Sequence, residues 1–484
     1  MSNVDLKPHA PKGRDGVVQP AGHHLHAATP TIYPRAVTGR YRRMKWAIMV
    51  ACLAIYYIAP WFRWNRGPGA PDQAVLIDLV RCRFYLFSIE IWPQEFYFVA
   101  GMLIMAGLGL FLITSIVGRA WCGYACPQTV WTDLFQHVDR WIDGDRNAQM
   151  RLAAQPWGAR KIALRLTKWA IYLAISVATG GACILYFADA PTLWREVFSG
   201  QASIIAYSTI FILAGTTLWL GGFMREQVCL YMCPWPRIQS AMLDESSLLV
   251  TYKDWRGEPR GKGVGDAKGD CVDCGLCAAV CPAGIDIRDG AQMACINCAL
   301  CIDACDGVMA RLGRPRGLVD YSTLQSDQAE RKGASDRRSI WRPRSLAYLA
   351  LWLGIGIAML FALATRPRLA LSVAKDRNPP FMVMSDGSIR NAYVVKWRNM
   401  EGRTRPMRLT LNGVTRAVMW AEDMGKADAG TKLDRIVQAD QTLVLRVYLL
   451  TPATIHAQRV QFQLVAMDRE GGQAVYHAPF DTPK

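Results

Sequence analysis

Charged residues vanish from five stretches of the chain, 46–62, 96–117, 169–188, 203–224 and 345–365. A helix needs about 17–25 apolar residues to cross the hydrocarbon core of a bilayer, so each stretch predicts a membrane-spanning helix. The shortest, 46–62, has Arg42, Arg43 and Lys45 before it and Trp61, Arg63 and Trp64 at its far end, residue types that anchor a helix at the interface. Five such helices buried in a soluble protein would demand an unusually large core. The pattern therefore predicts an α-helical transmembrane bundle of about five helices.

Beyond the fifth stretch the period changes. Segments 389–395, 407–414, 442–450 and 460–467 show partial alternation of apolar and polar residues, separated by turn residues. Val444, Arg446 and Tyr448 fall on one face and Leu443, Leu445 and Val447 on the other, which predicts an all-β, immunoglobulin-like sandwich over 366–484. Between the fourth and fifth stretches lies a polar insert. Its Gly- and Lys-rich part, 257–269, leads into closely spaced cysteines. The resulting plan is a disordered tail over 1–43, a four-helix membrane domain over 44–245, and a cysteine-rich α+β module over 246–322. A linker over 323–344, the fifth helix over 345–365 and the β domain over 366–484 complete it.

Charge adds an orientation. The 484 residues carry a net charge of +17. Lys and Arg crowd the segment before the first helix and the loop between the second and third, whereas the loop between the third and fourth holds only Arg195. Basic loops mark the cytoplasmic side, so the N-terminus and the cysteine-rich module are expected inside and the C-terminal domain in the periplasm. The loop 63–95 breaks the rule with four arginines; its nearby acids and apolar 84–92 run predict that it lies along the outer interface. No cleavable signal is expected in the long polar 1–43 segment, and His23, His24 and His26 read as exposed tail residues. With 51% hydrophobic residues, disorder throughout is excluded. The clustering of the 15 cysteines argues against a secreted disulfide scaffold.

Eight of those cysteines carry the sharpest signal. Cys271, Cys274, Cys277 and Cys281, followed by Pro282, are spaced C-x2-C-x2-C-x3-C-P; Cys295, Cys298, Cys301 and Cys305 repeat the spacing with Asp306 in place of proline. Zinc sites place cysteines in separated pairs, whereas two-cluster ferredoxins use triplets and lend the fourth cysteine of each run to the other cluster. The spacing thus predicts one [4Fe–4S] cluster on Cys271, Cys274, Cys277 and Cys305, and a second on Cys295, Cys298, Cys301 and Cys281.

Two further pairs, Cys122/Cys126 before Pro127 and Cys229/Cys233 before Pro234, share a C-x3-C-P spacing after the second and fourth helices. Residues four apart share a helix face, so each pair can chelate one ion. Thiolates, with Met224, Met232 and Met242 nearby, select soft Cu(I); a third iron–sulfur cluster on the same four thiols and plain packing at helix ends are the alternatives. Cys52, Cys82 and Cys183 are expected to pack as small apolar residues, and His137 to pack on an amphipathic segment over 130–142.

Trp121-Cys122-Gly123-Tyr124-Ala125-Cys126-Pro127-Gln128-Thr129, the run from Cys229 to Pro234, and Cys281-Pro282-Ala283-Gly284-Ile285-Asp286-Ile287-Arg288 resemble the CcoG family, also called FixG or RdxA. Ile32-Tyr33-Pro34-Arg35 and Ile91-Trp92-Pro93-Gln94-Glu95 are similar to it too. The resemblance implies a bacterial inner-membrane oxidoreductase that reduces Cu(II) to Cu(I) for the copper site of a cbb-type cytochrome oxidase. It further implies that Cys122, Cys126, Cys229 and Cys233 are the copper thiols. Oxidase subunits or copper chaperones are then the expected partners, with the electron donor unnamed, self-association open and no nucleic acid involved. A membrane subunit linking quinol to a periplasmic reductase and an assembly scaffold are the other readings. No acid or histidine is visible inside the apolar stretches, which favours copper over quinol.

Overall fold

The computed structural model describes residues 31–66, 70–261, 269–334, 342–414, 416–452 and 459–482. His23, His24, His26 and His456 lie outside them. Five of the described helices are long and apolar enough to cross a membrane: Arg40–Trp61, Pro93–Val117, Ala159–Ile184, Ile204–Met224 and Pro343–Thr365. The chain is a multi-pass membrane protein.

In chain order, α1 (Arg40–Ile58) precedes a small antiparallel sheet of β1 (Val75–Asp78), β2 (Arg83–Leu86) and β3 (Ile89–Ile91). Then come α2 (Tyr97–Val117), the short α3 (Ala120–Tyr124), α4 (Pro127–Asp143), α5 (Arg146–Ala154) and α6 (Ala159–Ile184). After α7 (Ala190–Ser199), α8 (Ile204–Thr217) runs into two π-helical turns, Leu218–Met224 and Val228–Met232, and then α9 (Trp235–Met242). The cysteine-rich module holds β4 (Leu249–Tyr252), α10 (Asp254–Gly257), α11 (Leu276–Ala279), α12 (Leu300–Arg311) and β5 (Val319–Ser322). Antiparallel pairing of β4 with β5 closes the module at its base. Helix α13 (Leu324–Arg331) and the fifth span, α14 (Pro343–Thr365), follow.

Four expectations change. The 63–95 loop holds a sheet that buries Leu76, Tyr85 and Ile91 beside buried Trp92; strands of three or four residues are too short for alternation to reveal them. Cys82 does not pack: it is exposed in the β1–β2 turn with φ 53°. Residues 31–43 are not a loose tail. Ile32 packs against Gly284, the Arg35 amide donates to Ala279 O at 2.8 Å, and the Tyr41 and Arg42 amides donate to the Asp303 carboxylate at 3.2 and 2.7 Å. The start of the 323–344 linker is a helix capped by Thr323, with Asp327 accepting from the Trp255 indole at 3.1 Å.

The C-terminal segment forms β6 (Leu369–Lys375), β7 (Met382–Val383), β8 (Ile389–Asn399), β9 (Arg405–Asn412), β10 (Val418–Ala421), β11 (Lys432–Val437), β12 (Thr442–Thr451), β13 (Arg459–Ala466) and β14 (Gln473–Pro479). One sheet runs β10-β12-β8-β6, with β7 on β8, and the other β11-β9-β13-β14. Their facing sides bury Tyr393, Trp397, Leu409, Val447, Leu449 and Phe462, so the alternation in β12 points as read from the sequence. Residues 63–66 and 70–72 group with this unit rather than with the helical one.

Candidate redox centre

The two cysteine runs of the module adopt one backbone motif twice. Asp273 and Gly275 flank Cys274 with φ 53° and 63°; Asn297 and Ala299 flank Cys298 with φ 55° and 61°. Left-handed residues placed this way curl the backbone around an anion-sized space. Ala299 in that region is strained for an L-residue, a cost that clusters at functional sites.

The structure brings the thiols together in two groups. Cys281, Cys295, Cys298 and Cys301 line one small cavity, whose walls are otherwise apolar, with Val250, Ile285 and Leu300 among them. Cys271, Cys277 and Cys305 pack in adjoining apolar clusters around the module core, and Cys274 is exposed. Cys277 also lines the first cavity, so the two groups adjoin there. Burial pushes the Cys277 and Cys295 thiols up to about 11, Cys281 and Cys305 to about 12, and Cys301 well above the usual thiol value. A metal or cluster taking these sulfurs must therefore displace protons. Among the described residues no three His, Cys, Asp or Glu converge on a single-ion site. Each of the two groups offers four cysteine sulfurs, the donor set of a [4Fe–4S] cluster, so the groups and their nests fit such clusters.

The C-x3-C-P pairs are not placed on regular helix faces. Each closes in a wider turn, with the Cys126 amide donating to Trp121 O at 2.9 Å and the Cys233 amide to Val228 O at 2.8 Å. Both second cysteines then turn extended, at ψ 129° and 123°, because the residue before proline is kept out of the helical region. Pro127 begins the next helix, α4, and Pro234 caps the start of α9. Cys122 is buried, and burial pushes its thiol up to about 11 and that of Cys229 to about 12, with the other thiols of the quartet adding to the effect. Cys122 and Cys229 thus each lie within electrostatic reach of Cys126 and Cys233, and of one another.

This quartet abuts the second cysteine run. A Cβ on Gly123 would stand 2.6 Å from Ile296 O, and the Tyr124 hydroxyl donates to Cys298 O at 3.2 Å. Between them sits Arg119, 2% exposed, donating to Met293 O at 2.5 Å and to Gln239 Oε1 at 3.4 Å. Buried Gln239 also accepts from the Cys122 thiol at 3.2 Å. Arg119 makes no ion pair with a carboxylate among the described residues; the nearby thiols are those of Cys122, Cys295, Cys229 and Cys233. A buried cation is costly without an anion, so the site is built for thiolate or cluster charge. The sequence offered no signal for Arg119 or Gln239, since neither belongs to a spaced motif.

Acids missing from the apolar stretches are present beside them. Asp133, Asp139 and Asp143 on α4 are all buried, paired with Arg42 at 2.8 Å, Arg225 at 2.8 Å and Lys168 at 2.6 Å. A small pocket bordered by Gln128, Thr132, Asp133 and Glu226, with Leu230 and Ile296 on its apolar side, adjoins Cys229. These acids lie on α4 and just after the fourth span, outside the apolar stretches, which themselves hold no acid or histidine. His137 packs as an exposed residue on α4, meeting Trp46 edge-on at 4.7 Å. Cys52 and Cys183 are half-buried in α1 and α6, and Cys183 lines a cavity that also touches Pro127 and Gln128.

A 4Fe-4S dicluster domain model matches residues 224–324, a 4Fe-4S binding domain model residues 98–147, and the IG-like fold at the C-terminal of FixG residues 359–483. The nitrogen fixation protein FixG of Rhizobium meliloti is 52% identical over 95% of this chain and 94% of its own. Protein RdxA of Cereibacter sphaeroides is 53% identical over 88% and 91%. Among solved structures, a FixG-related protein from Vibrio parahaemolyticus matches 24% of this chain and 98% of its own, at 16% identity and a TM-score of 0.19. The role these findings support is electron transfer through iron–sulfur centres. Sharing half its residues with such relatives along nearly its whole length, with all three domain models in their places, the chain belongs to the FixG/RdxA family.

Proposed function

We propose that the chain passes electrons singly from a cytoplasmic donor to Cu(II), releasing Cu(I) for the copper site of a cbb-type oxidase. The observation that carries this reading is the contiguity of three thiol groups. Cys271, Cys274, Cys277 and Cys305 would hold the first cluster; Cys281, Cys295, Cys298 and Cys301 would hold the second, meeting the first near Cys277. When bound, such clusters supply one-electron storage. Exposed Cys274 suits electron entry at the outer end, and Arg119 links Cys295 to the C-x3-C-P quartet at the other.

At that quartet Cu(II) gains one electron and the reduced relay loses one; no other bond need change. Thiolates hold Cu(I) better than Cu(II), so the four sulfurs favour the product, while Arg119 and Gln239 keep Cys122 in place. The choice of copper rests on the family resemblance together with these soft donors. The lysine and arginine distribution supports an N-in, C-out arrangement with the clusters in the cytoplasm.

The test is to mix anaerobically reduced full-length protein with Cu(II) and a Cu(I)-specific chelator. Trapped Cu(I) should rise as the cluster absorbance bleaches. Serine at Cys122, Cys126, Cys229 and Cys233 should abolish this with iron content unchanged; copper reduction at the parental rate would overturn the proposal. Preferential re-oxidation by a quinone analogue would point instead to a quinol carrier. A second reading has its own support: the 4Fe-4S binding model over 98–147 includes Cys122 and Cys126. Loss of iron in the four-serine variant would favour a third cluster there.

A further inference from the structure

Away from the redox path, an open cavity of about 860 Å³ lies between the start of α1 and the end of α4. Arg42, Arg43 and Trp46 face it from α1, and His137, Arg140 and Trp141 from α4. Arg42 is satisfied, holding Asp133 at 2.8 and 3.1 Å. Arg140 is not. Its Nε is buried without a hydrogen-bond partner, and among the described residues it forms no ion pair.

The acids around Arg140 are engaged elsewhere. Asp133 pairs with Arg42 and Lys45, Asp139 with Arg225 and Lys168, and Asp145 accepts from the Ala36 amide at 2.8 Å. Burial and the repulsion of Arg42 both lower the Arg140 pKa. Arg43 is exposed and has no described side-chain partner. Two unmatched guanidinium groups therefore face one space too large for a single ion.

We propose that this cavity binds the phosphate headgroup of an anionic glycerophospholipid, held by Arg140 and Arg43. A lipid, rather than a soluble phosphate, is indicated by position: the cavity sits at the end of the first membrane-spanning helix, where Trp46 and exposed Trp141 border it. Tryptophan and clustered basic residues at a helix end are the features that engage headgroups. Guanidinium binds phosphate through paired, charge-assisted hydrogen bonds. The α1 start also carries the amides that hold Asp303 on α12, between Cys301 and Cys305. A lipid seated here braces the contact between the cysteine-rich module and the membrane helices.

The test uses full-length protein delipidated in a neutral detergent, titrated with phosphatidylglycerol, phosphatidylcholine or inorganic phosphate and read by native mass spectrometry. Phosphatidylglycerol should be retained in preference to phosphatidylcholine. Arg140→Gln and Arg43→Gln should each weaken it about fivefold or more, Arg140→Lys should recover most of the loss, and exposed Arg160→Gln should change nothing. Iron content and a cooperative melt check that each variant is folded; Arg43, being exposed, keeps the test open if Arg140→Gln misfolds. Equal retention of the two lipids, or parental affinity in Arg43→Gln, would overturn the proposal. So would inorganic phosphate binding to the cavity while phosphatidylglycerol does not.

Discussion

Two residues between the cysteine groups, Gly123 and Arg119, carry consequences that their places in the chain do not announce. Gly123 lets α3 lie against the Ile296 carbonyl; an added methyl has backbone in its way at 2.6 Å. Gly123→Ala is expected to destabilise the protein by about 1–3 kcal/mol, as overpacking does, seen as a lower thermal midpoint. Arg119 supplies a fixed positive charge where reduction adds a negative one. Nearby charge is among the levers on cluster potential. Arg119→Leu should therefore lower the midpoint potential of the proposed second cluster by about 59 mV or more, a tenfold shift in a one-electron equilibrium. Arg119→Lys should restore part of it. Potentiometric titration followed by electron spin resonance measures this, and an unmoved potential would reduce Arg119 to a packing role. The cysteines were legible because their spacing is short. Arg119 meets Gln239 across 120 positions of sequence, which no local pattern encodes.

Among elements, regular ones were visible and irregular ones were not. The long strands β8 and β12 pair over Ile389–Thr451 through Arg398–Thr442, and their alternation shows in the residues. The π turns after α8 and the three-stranded sheet before α2 leave no such period. Helix α6 begins at Ala159, ahead of its apolar stretch, because Lys161 reaches the Ala153 and Gln155 carbonyls at 3.0 and 2.6 Å and Lys168 reaches Asp143 at 2.6 Å. The β domain, residues 366–484, has its own core and is expected to melt cooperatively when expressed alone. Trp397→Ala, emptying a fully buried site, should cost about 3–5 kcal/mol, measured by denaturant unfolding. Its acid sensitivity has a definite sign. Hydrogen bonds from Arg405 hold the Asp468 carboxyl below its ordinary value, and those from Arg408 do the same for Asp434. Stability from such groups is complete above the unfolded carboxylate value, about 3.9, and is lost as pH falls through the lower folded values. The melting temperature should hold from pH 7 to about 5 and drop below about 4.

For the whole molecule, the testable quantities are sidedness and cluster number. A reporter fused after Thr365 should be active only in the periplasm, and one within 257–269 only in the cytoplasm; cytoplasmic activity of the first would overturn the proposed orientation. About eight iron atoms per chain would fit two clusters, and about twelve would place a third on the C-x3-C-P quartet. By itself the sequence determined what short-range regularity can carry: five apolar spans, an alternating β domain, and cysteine spacings that can wrap a cubane. Each depends on residues within a few turns or one strand, where geometry follows from backbone period and side-chain polarity. Only the tertiary structure decided which groups face one another. It set the second cysteine run against Gly123, buried the acids of α4 and, among the described residues, left Arg119 between two sets of thiols without a carboxylate partner and Arg140, near the end of α4, without an ion pair. Those outcomes come from packing elements far apart in the chain, where burial decides the partner of each charge.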